Sequence, residues 1–289
     1  MTPAGPQNLI DELVFSVARI ECETPSGVQH GTGFFFAFLL EDGKRSPCFV
    51  TSKHVVQGAT HGRFFLALKD AEGHDIRNQN LEFKVPNFED KCHPHPDPAV
   101  DLVVFFVGAI LQAMKAQGHV FHIAYLSRRA ILSREQRLAL SVLEDVLVIG
   151  YPIGLWDRSQ SQPVIRRGIT ASHAGLPYNG LSEFLIDAPC HPGLGGAPVF
   201  LRLAADTSDA GPAMRRSPRV VLLGTLYASQ QWSDRGMPVM QPIDGRAHRP
   251  LADSGRPMPG SLGLVVNTDK LLDFELIVRA MIHGVSSRY

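Results

Sequence analysis

Short apolar runs bounded by Gly, Pro, Asp and Asn recur along nearly the whole chain, at Val14–Glu21, Thr32–Leu40, Cys48–Ser52, Phe64–Ala67, Leu81–Val85, Leu102–Val107, Val146–Ile149, Gly168–Ala171, Phe184–Ile186, Pro198–Leu201, Val220–Ala228 and Leu262–Val266. Runs of this kind form strands. A succession of them without alternating long helices excludes a helix-covered parallel sheet and implies an all-β architecture. Helical periodicity is confined to Asn8–Leu13, the residues after His54, Ala109–Gln117 and Thr268–Ile282. The last segment has Asn267, Thr268 or Asp269 as its N-terminal cap and is expected to pack on a barrel as a C-terminal α-helix. The stretch from about Gln112 to Leu140 is richer in Arg, Gln and His and separates two strand-rich halves. The expected organisation is therefore an N-terminal β-barrel over 1–115, a connection over 116–140 and a C-terminal β-barrel with its helix over 141–289. Ala204–Pro218 and Gln230–Pro259, dense in Pro, Gly, Asp and Arg, read as long surface loops.

At 289 residues the chain is long enough to bury about 75% of its unfolded surface, so its core needs no disulfide or metal staple. Cys22, Cys48, Cys92 and Cys190 lack CxxC spacing and read as reduced thiols. The polar N-terminus has no apolar signal region, so a cytoplasmic location is expected. With 28 Lys+Arg against 28 Asp+Glu the formal charge is zero, which supplies no general footprint for nucleic acid. Apolar stretches far shorter than about 18 residues exclude a membrane helix.

Three segments carry residues suited to nucleophilic acyl transfer. Phe49-Val50-Thr51-Ser52-Lys53-His54 ends an apolar strand on an imidazole, whose ordinary pKa of about 6.5 suits general-base work. Asp101 opens the apolar strand Leu102–Phe105, and a carboxylate beside the second ring nitrogen of His54 would hold its tautomer. Asp187 to Phe200 contains the turn Gly193-Leu194-Gly195-Gly196, where glycines let backbone N–H groups converge as an oxyanion hole. Asp97 is the rival acid, but it precedes Pro98 and lacks the following strand.

With Gly31-Thr32-Gly33-Phe34, Thr51-Ser52-Lys53-His54-Val55-Val56, Asp101-Leu102-Val103-Val104, Val148-Ile149-Gly150-Tyr151-Pro152 and the turn in this order, the chain resembles the trypsin/chymotrypsin-like serine peptidases, in particular HtrA-like members without a PDZ module. The resemblance implies a chymotrypsin-like fold of two six-stranded antiparallel β-barrels and hydrolysis of peptide bonds by a Ser-His-Asp mechanism. His54 would be the base, Asp101 its orienter, and the Gly193 and Gly195 amides the oxyanion hole. The nucleophile position falls on Gly195, which has no hydroxyl. Either this is a silenced form of an active peptidase or the chain is a pseudopeptidase that binds peptides or a protein partner; a partner within a multi-component system is compatible with either. Substrate main chain would pair with Leu226-Tyr227-Ala228-Ser229, and a primary pocket floored near Pro189, without a carboxylate, would take an apolar or small side chain. Leu194 stands where secreted zymogens carry an aspartate, so their N-terminal switch is not expected.

Other clusters have simpler readings. The Gly193–Gly196 run is followed by no Gly-Lys-Ser/Thr, which argues against a phosphate loop. In Cys92-His93-Pro94-His95-Pro96-Asp97 both histidines precede proline, so an extended surface loop is preferred to a metal site. No cofactor and no metal are assigned. Phe34-Phe35-Phe36 reads as barrel core.

Overall fold

In the first sheet, alternation of large apolar side chains divides one strand between two cores. The protein is described here by a computed structural model covering residues 12–40, 43–70, 75–153, 155, 162–203, 219–232, 237–243, 245–246 and 260–286. Its strands are β1 (Val17–Thr24), β2 (Gly27–Leu39), β3 (Arg45–Thr51), β4 (His61–Lys69), β5 (Asp75–Pro86), β6 (Cys92–Pro94), β7 (Val103–Phe106) and β8 (Val120–Phe121). They lie in the order β5-β4-β1-β2-β3-β7-β6, with β8 on β4. Because successive strand residues face opposite sides, Phe35 of β2 enters a cluster with Phe49, Phe64, Phe83 and Phe105 inside this sheet. Phe34, Phe36 and Phe38 face the other way, into a cluster shared with Ile149, Tyr151, Phe200 and Val266 of the second sheet. Each of these fully buried rings contributes about 1.5–3 kcal/mol, so much of the cohesion lies at the seam between the sheets.

The second sheet contains β9 (Asp145–Gly150), β10 (Val164–Thr170), β11 (Glu183–Asp187), β12 (Ala197–Leu203), β13 (Arg219–Trp232), β14 (Pro238–Pro242) and β15 (Leu262–Asn267). The path β12-β9-β10-β11-β15-β13 is closed by β12–β13 pairing, which makes a six-stranded antiparallel barrel, and β14 adds to the free edge of β13. The all-β architecture anticipated from the run pattern is present. Six strands is the count of the closed ring, whereas the first sheet has seven along an open path of pairings, with β8 paired to β4 off that path.

At the C-terminus, helices Thr268–Leu272 and Phe274–Ser286 replace the single expected helix. Asn267 is the cap, its side chain accepting from the Asp269 amide at 3.3 Å, and Leu271, Phe274 and Val278 pack on the seam cluster. The connecting stretch lies against β2, with Leu126 N–H donating to the Phe35 carbonyl and the Ala37 amide donating to the Leu126 carbonyl. Its helix Arg134–Leu138 begins with a reciprocal Ser133–Gln136 capping box.

Two sequence readings are corrected. Gln230–Pro259 is not loop throughout: β13 runs to Trp232, and β14 pairs Pro242 with Ala228 and Pro238 with Trp232. Proline at both ends of β14 hid it, and an outermost strand tolerates proline because one edge needs no donors. The Cys92–Asp97 tract is not a surface loop either. Cys92–Pro94 is a strand on β7, and His95 is buried with Nε2 3.2 Å from Asp273 Oδ2. Ala204–Pro218 lies outside the described residues.

All four cysteines are buried and unpaired. Burial pushes the Cys48, Cys92 and Cys190 thiols up to about 12 and that of Cys22 higher still. The folded chain therefore keeps thiol protons that the unfolded chain loses above its ordinary value of about 9. The urea-unfolding free energy is expected to fall as pH rises from about 9 towards 12, with no thiol reacting with an aromatic disulfide reagent at pH 8 until the chain unfolds. Rapid labelling of the folded chain at pH 8 would contradict this.

Candidate active site

Strand pairing brings the imidazole and the carboxylate together. β3 pairs with β7 with Thr51 opposite Val103, so His54, in the short helix Lys53–Val56 just past β3, meets Asp101 just before β7. Asp101 Oδ1 accepts from the His54 backbone N–H at 3.0 Å, and Oδ2 lies 2.5 Å from His54 Nδ1. The two bonds fix both the position of the helix and the orientation of the ring, leaving Nε2 on the side away from Asp101. The side chains are only 14% and 15% exposed, so little water competes for the pair. Asp97 is engaged elsewhere, its carboxylate accepting from the Ala99 amide at 3.0 Å.

The glycine turn reaches this pair from the second sheet, between β11 and β12. Gly193 and Gly196 have φ of +90° and +87°, which side chains of L-residues rarely adopt. Thr32 of β2 holds the turn. Its hydroxyl donates to the Gly193 carbonyl at 2.8 Å and accepts from the Tyr151 amide at 2.9 Å. Its amide donates to the Gly195 carbonyl at 3.0 Å, and its carbonyl accepts from the Thr51 hydroxyl at 2.7 Å. A Cβ built on Gly195 would lie 2.7 Å from His54 Nε2. Imidazole, carboxylate and turn thus converge across the seam.

The Pro192 carbonyl accepts from the Ile153 amide at 2.9 Å. A trans peptide sends its C=O and N–H in opposite directions, so the Gly193 N–H points away from Ile153. Among the described residues, neither the Gly193 nor the Gly195 amide donates to a backbone carbonyl. Cys190 supplies no substitute nucleophile: its thiol is buried, bonds to the Ala188 carbonyl at 3.1 Å and is pushed up to about 12 by burial. Leu194 is fully buried in the barrel core.

The edge Leu226-Tyr227-Ala228-Ser229 is next to the turn, with the Leu226 carbonyl accepting from the Gly196 amide at 2.8 Å. Tyr227 sits at an irregularity in the pairing of β13 with β15, and its hydroxyl donates to Glu183 Oε2 at 2.6 Å. Pro189 is exposed while its neighbours Ala188 and Cys190 are buried. Backbone alternation puts those two side chains, rather than Pro189, inside. Two residues escaped the sequence reading. Thr32 was legible as a lone hydroxyl residue between two glycines at the start of an apolar run. Ile243, whose carbonyl lies 3.1 Å from His54 Nε2, gave no signal in a stretch without periodicity. No group of three or more His, Cys, Asp or Glu among the described residues is arranged to hold a metal ion.

A family model described as trypsin-like peptidase domain matches residues 31–203. Among solved structures, an HtrA-type protease with a tripeptide is 15% identical with a TM-score of 0.47, over 96% of this chain and 64% of that one. A serine endoprotease from Yersinia pestis is 12% identical with a TM-score of 0.45, over 96% and 68%. An inactive mutant form of a protein from M. tuberculosis H37Rv is 15% identical with a TM-score of 0.43, over 97% and 98%. The chain therefore spans just under two thirds of the length of the first of these. No curated protein matches it.

Thr32→Val keeps the side-chain shape but leaves the buried Gly193 carbonyl and Tyr151 amide without their partner. We expect it to lower the urea-unfolding free energy by about 2–5 kcal/mol, with Thr32→Ser close to the parent. A Thr32→Val chain within 0.5 kcal/mol of the parent, roughly the scatter of neutral surface changes, would remove Thr32 from this role.

Proposed function

The chain belongs to the family of trypsin-like peptidase domains, and from that premise we propose that its cleft is built for Ser-His-Asp hydrolysis of peptide bonds and is silenced by glycine at 195. The observation that carries this reading is the convergence of a carboxylate-held imidazole on Gly195, with Nε2 2.7 Å from where its Cβ would begin. With a serine there, Nε2 would take the hydroxyl proton as oxygen attacks the scissile carbonyl carbon. The Gly193 and Gly195 N–H groups would stabilise the oxyanion, and His54 would return the proton to the leaving amine. Water would then release the acyl group by the same route. Asp101 would hold the tautomer throughout. As it stands the chain forms no acyl-enzyme, and what it offers is a peptide cleft between an N-terminal barrel over 1–115 and a C-terminal barrel over 141–289. Four buried unpaired thiols fit a reducing compartment such as the cytoplasm.

One observation favours a pseudopeptidase that binds a peptide or protein partner without cutting. A Cβ 2.7 Å from Nε2 is closer than side-chain contacts allow, so the imidazole occupies space that a serine methylene needs. The two readings differ in whether the ring yields.

Gly195→Ser is expected to hydrolyse a peptide ester and to be labelled one-to-one by a fluorophosphonate. In that background Asp101→Asn should lower turnover by about 10⁴-fold, through the wrong tautomer. A folded Gly195→Ser chain that is neither labelled nor active would establish the pseudopeptidase instead.

A further inference from the structure

The chain runs one of its own segments through this cleft. β14 lies antiparallel on the free edge of β13, with Gln241 opposite Ser229 and Pro242 opposite Ala228. The Ile243 amide then donates to the Tyr227 carbonyl at 2.9 Å. The Ile243 side chain is 2% exposed and packs in the cluster that contains Ala188, Cys190, Leu194 and Leu226. Its carbonyl faces His54 Nε2 at 3.1 Å and would lie 3.4 Å from a Cβ on Gly195. Beyond it the chain crosses to the first sheet, where the His30 amide donates to the Gly245 carbonyl at 2.7 Å and Arg246 bridges Gln29.

The segment is thus tied to the second sheet before Ile243 and to the first sheet after it, and passes the imidazole in between. That is how an extended peptide binds when a sheet edge supplies main-chain hydrogen bonds and a pocket reads one side chain. We propose that residues 238–243 together with 245–246 are an internal ligand of the cleft, and that the external ligand they displace is an extended peptide presenting a β-branched aliphatic residue to the Ile243 pocket, with glycine two residues later.

Chemistry supports each part. The pocket walls are apolar, so a charged side chain there would lie buried without a partner. A Cβ at Gly245 would stand 1.7 Å from the His30 carbonyl oxygen, so only glycine permits this approach. With its carbonyl 3.1 Å from Nε2 and 3.4 Å from a Cβ on Gly195, Ile243 fills the space through which a group at 195 would reach the ring. Occupation therefore also holds the cleft idle. This inference rests on the peptide cleft proposed above and names its ligand.

The test uses the full-length chain and a fluorescein-labelled heptapeptide Val-Met-Gln-Pro-Ile-Asp-Gly, followed by anisotropy. Ile243→Asp expels the segment from the pocket. Gly245→Ala drives its other end away from the His30 backbone of β2. Each variant is expected to bind the peptide at least tenfold more tightly than the parent, and neither to bind the same peptide with Lys in place of Ile. If both, with parental circular dichroism and melting, bind no better than the parent, the inference is overturned. In the Gly195→Ser background, Gly245→Ala should raise the fluorophosphonate labelling rate at least tenfold. Equal labelling rates overturn the internal ligand while leaving the peptidase reading intact. Tighter peptide binding with no labelling of either chain upholds the internal ligand and removes the peptidase reading.

Discussion

Thr32 places its hydroxyl and its amide on the seam between the two sheets, while its carbonyl accepts from the Thr51 hydroxyl within the first sheet. Through its hydroxyl and amide, a strand of the first sheet sets the position of a turn that belongs to the second. The residue is fully buried, so water cannot replace any of these partners, and each bond is costly to leave unmade. Phe34 and Phe36, two and four residues along the same strand, supply the apolar part of the same junction. β2 therefore both holds the halves together and registers them.

That register decides what the cleft can do. Asp101 and His54 are positioned entirely within the first sheet, by the pairing of β3 with β7. Gly193 and Gly195 belong to the second. A slip at the seam of even an ångström would leave an oriented imidazole with nothing opposite it, because productive proton transfer requires hydrogen-bond contact. Glycine at 195 fits this scaffold, since a Cβ there would crowd the ring. The proposed internal strand lies on the β13 edge that an external peptide would use.

The sequence carried more of the site than of the architecture. His54, Asp101 and the glycine turn were legible because each stands at the end of an apolar run, in an order and spacing that chemistry constrains. Phe34 to Phe36 were legible as core, although not that alternate rings serve two different cores. β14 and Ile243 were hidden because an outermost strand bounded by prolines needs no alternating pattern. Near the expected pocket floor, backbone alternation turns Pro189 outward and Ala188 and Cys190 inward. His95 was read as loop because a buried histidine bonded to Asp273, 178 positions away, leaves no local signature.

Residue-resolved hydrogen exchange of the native chain tests the seam most directly. The Thr32 and Tyr151 amides, which donate across it or to its clamp, should exchange only through global unfolding, as slowly as amides in the middle of either sheet. If these two exchange much faster than the mid-sheet amides, the sheets part in the folded protein, and the joint placement of His54, Asp101 and Gly195 does not hold.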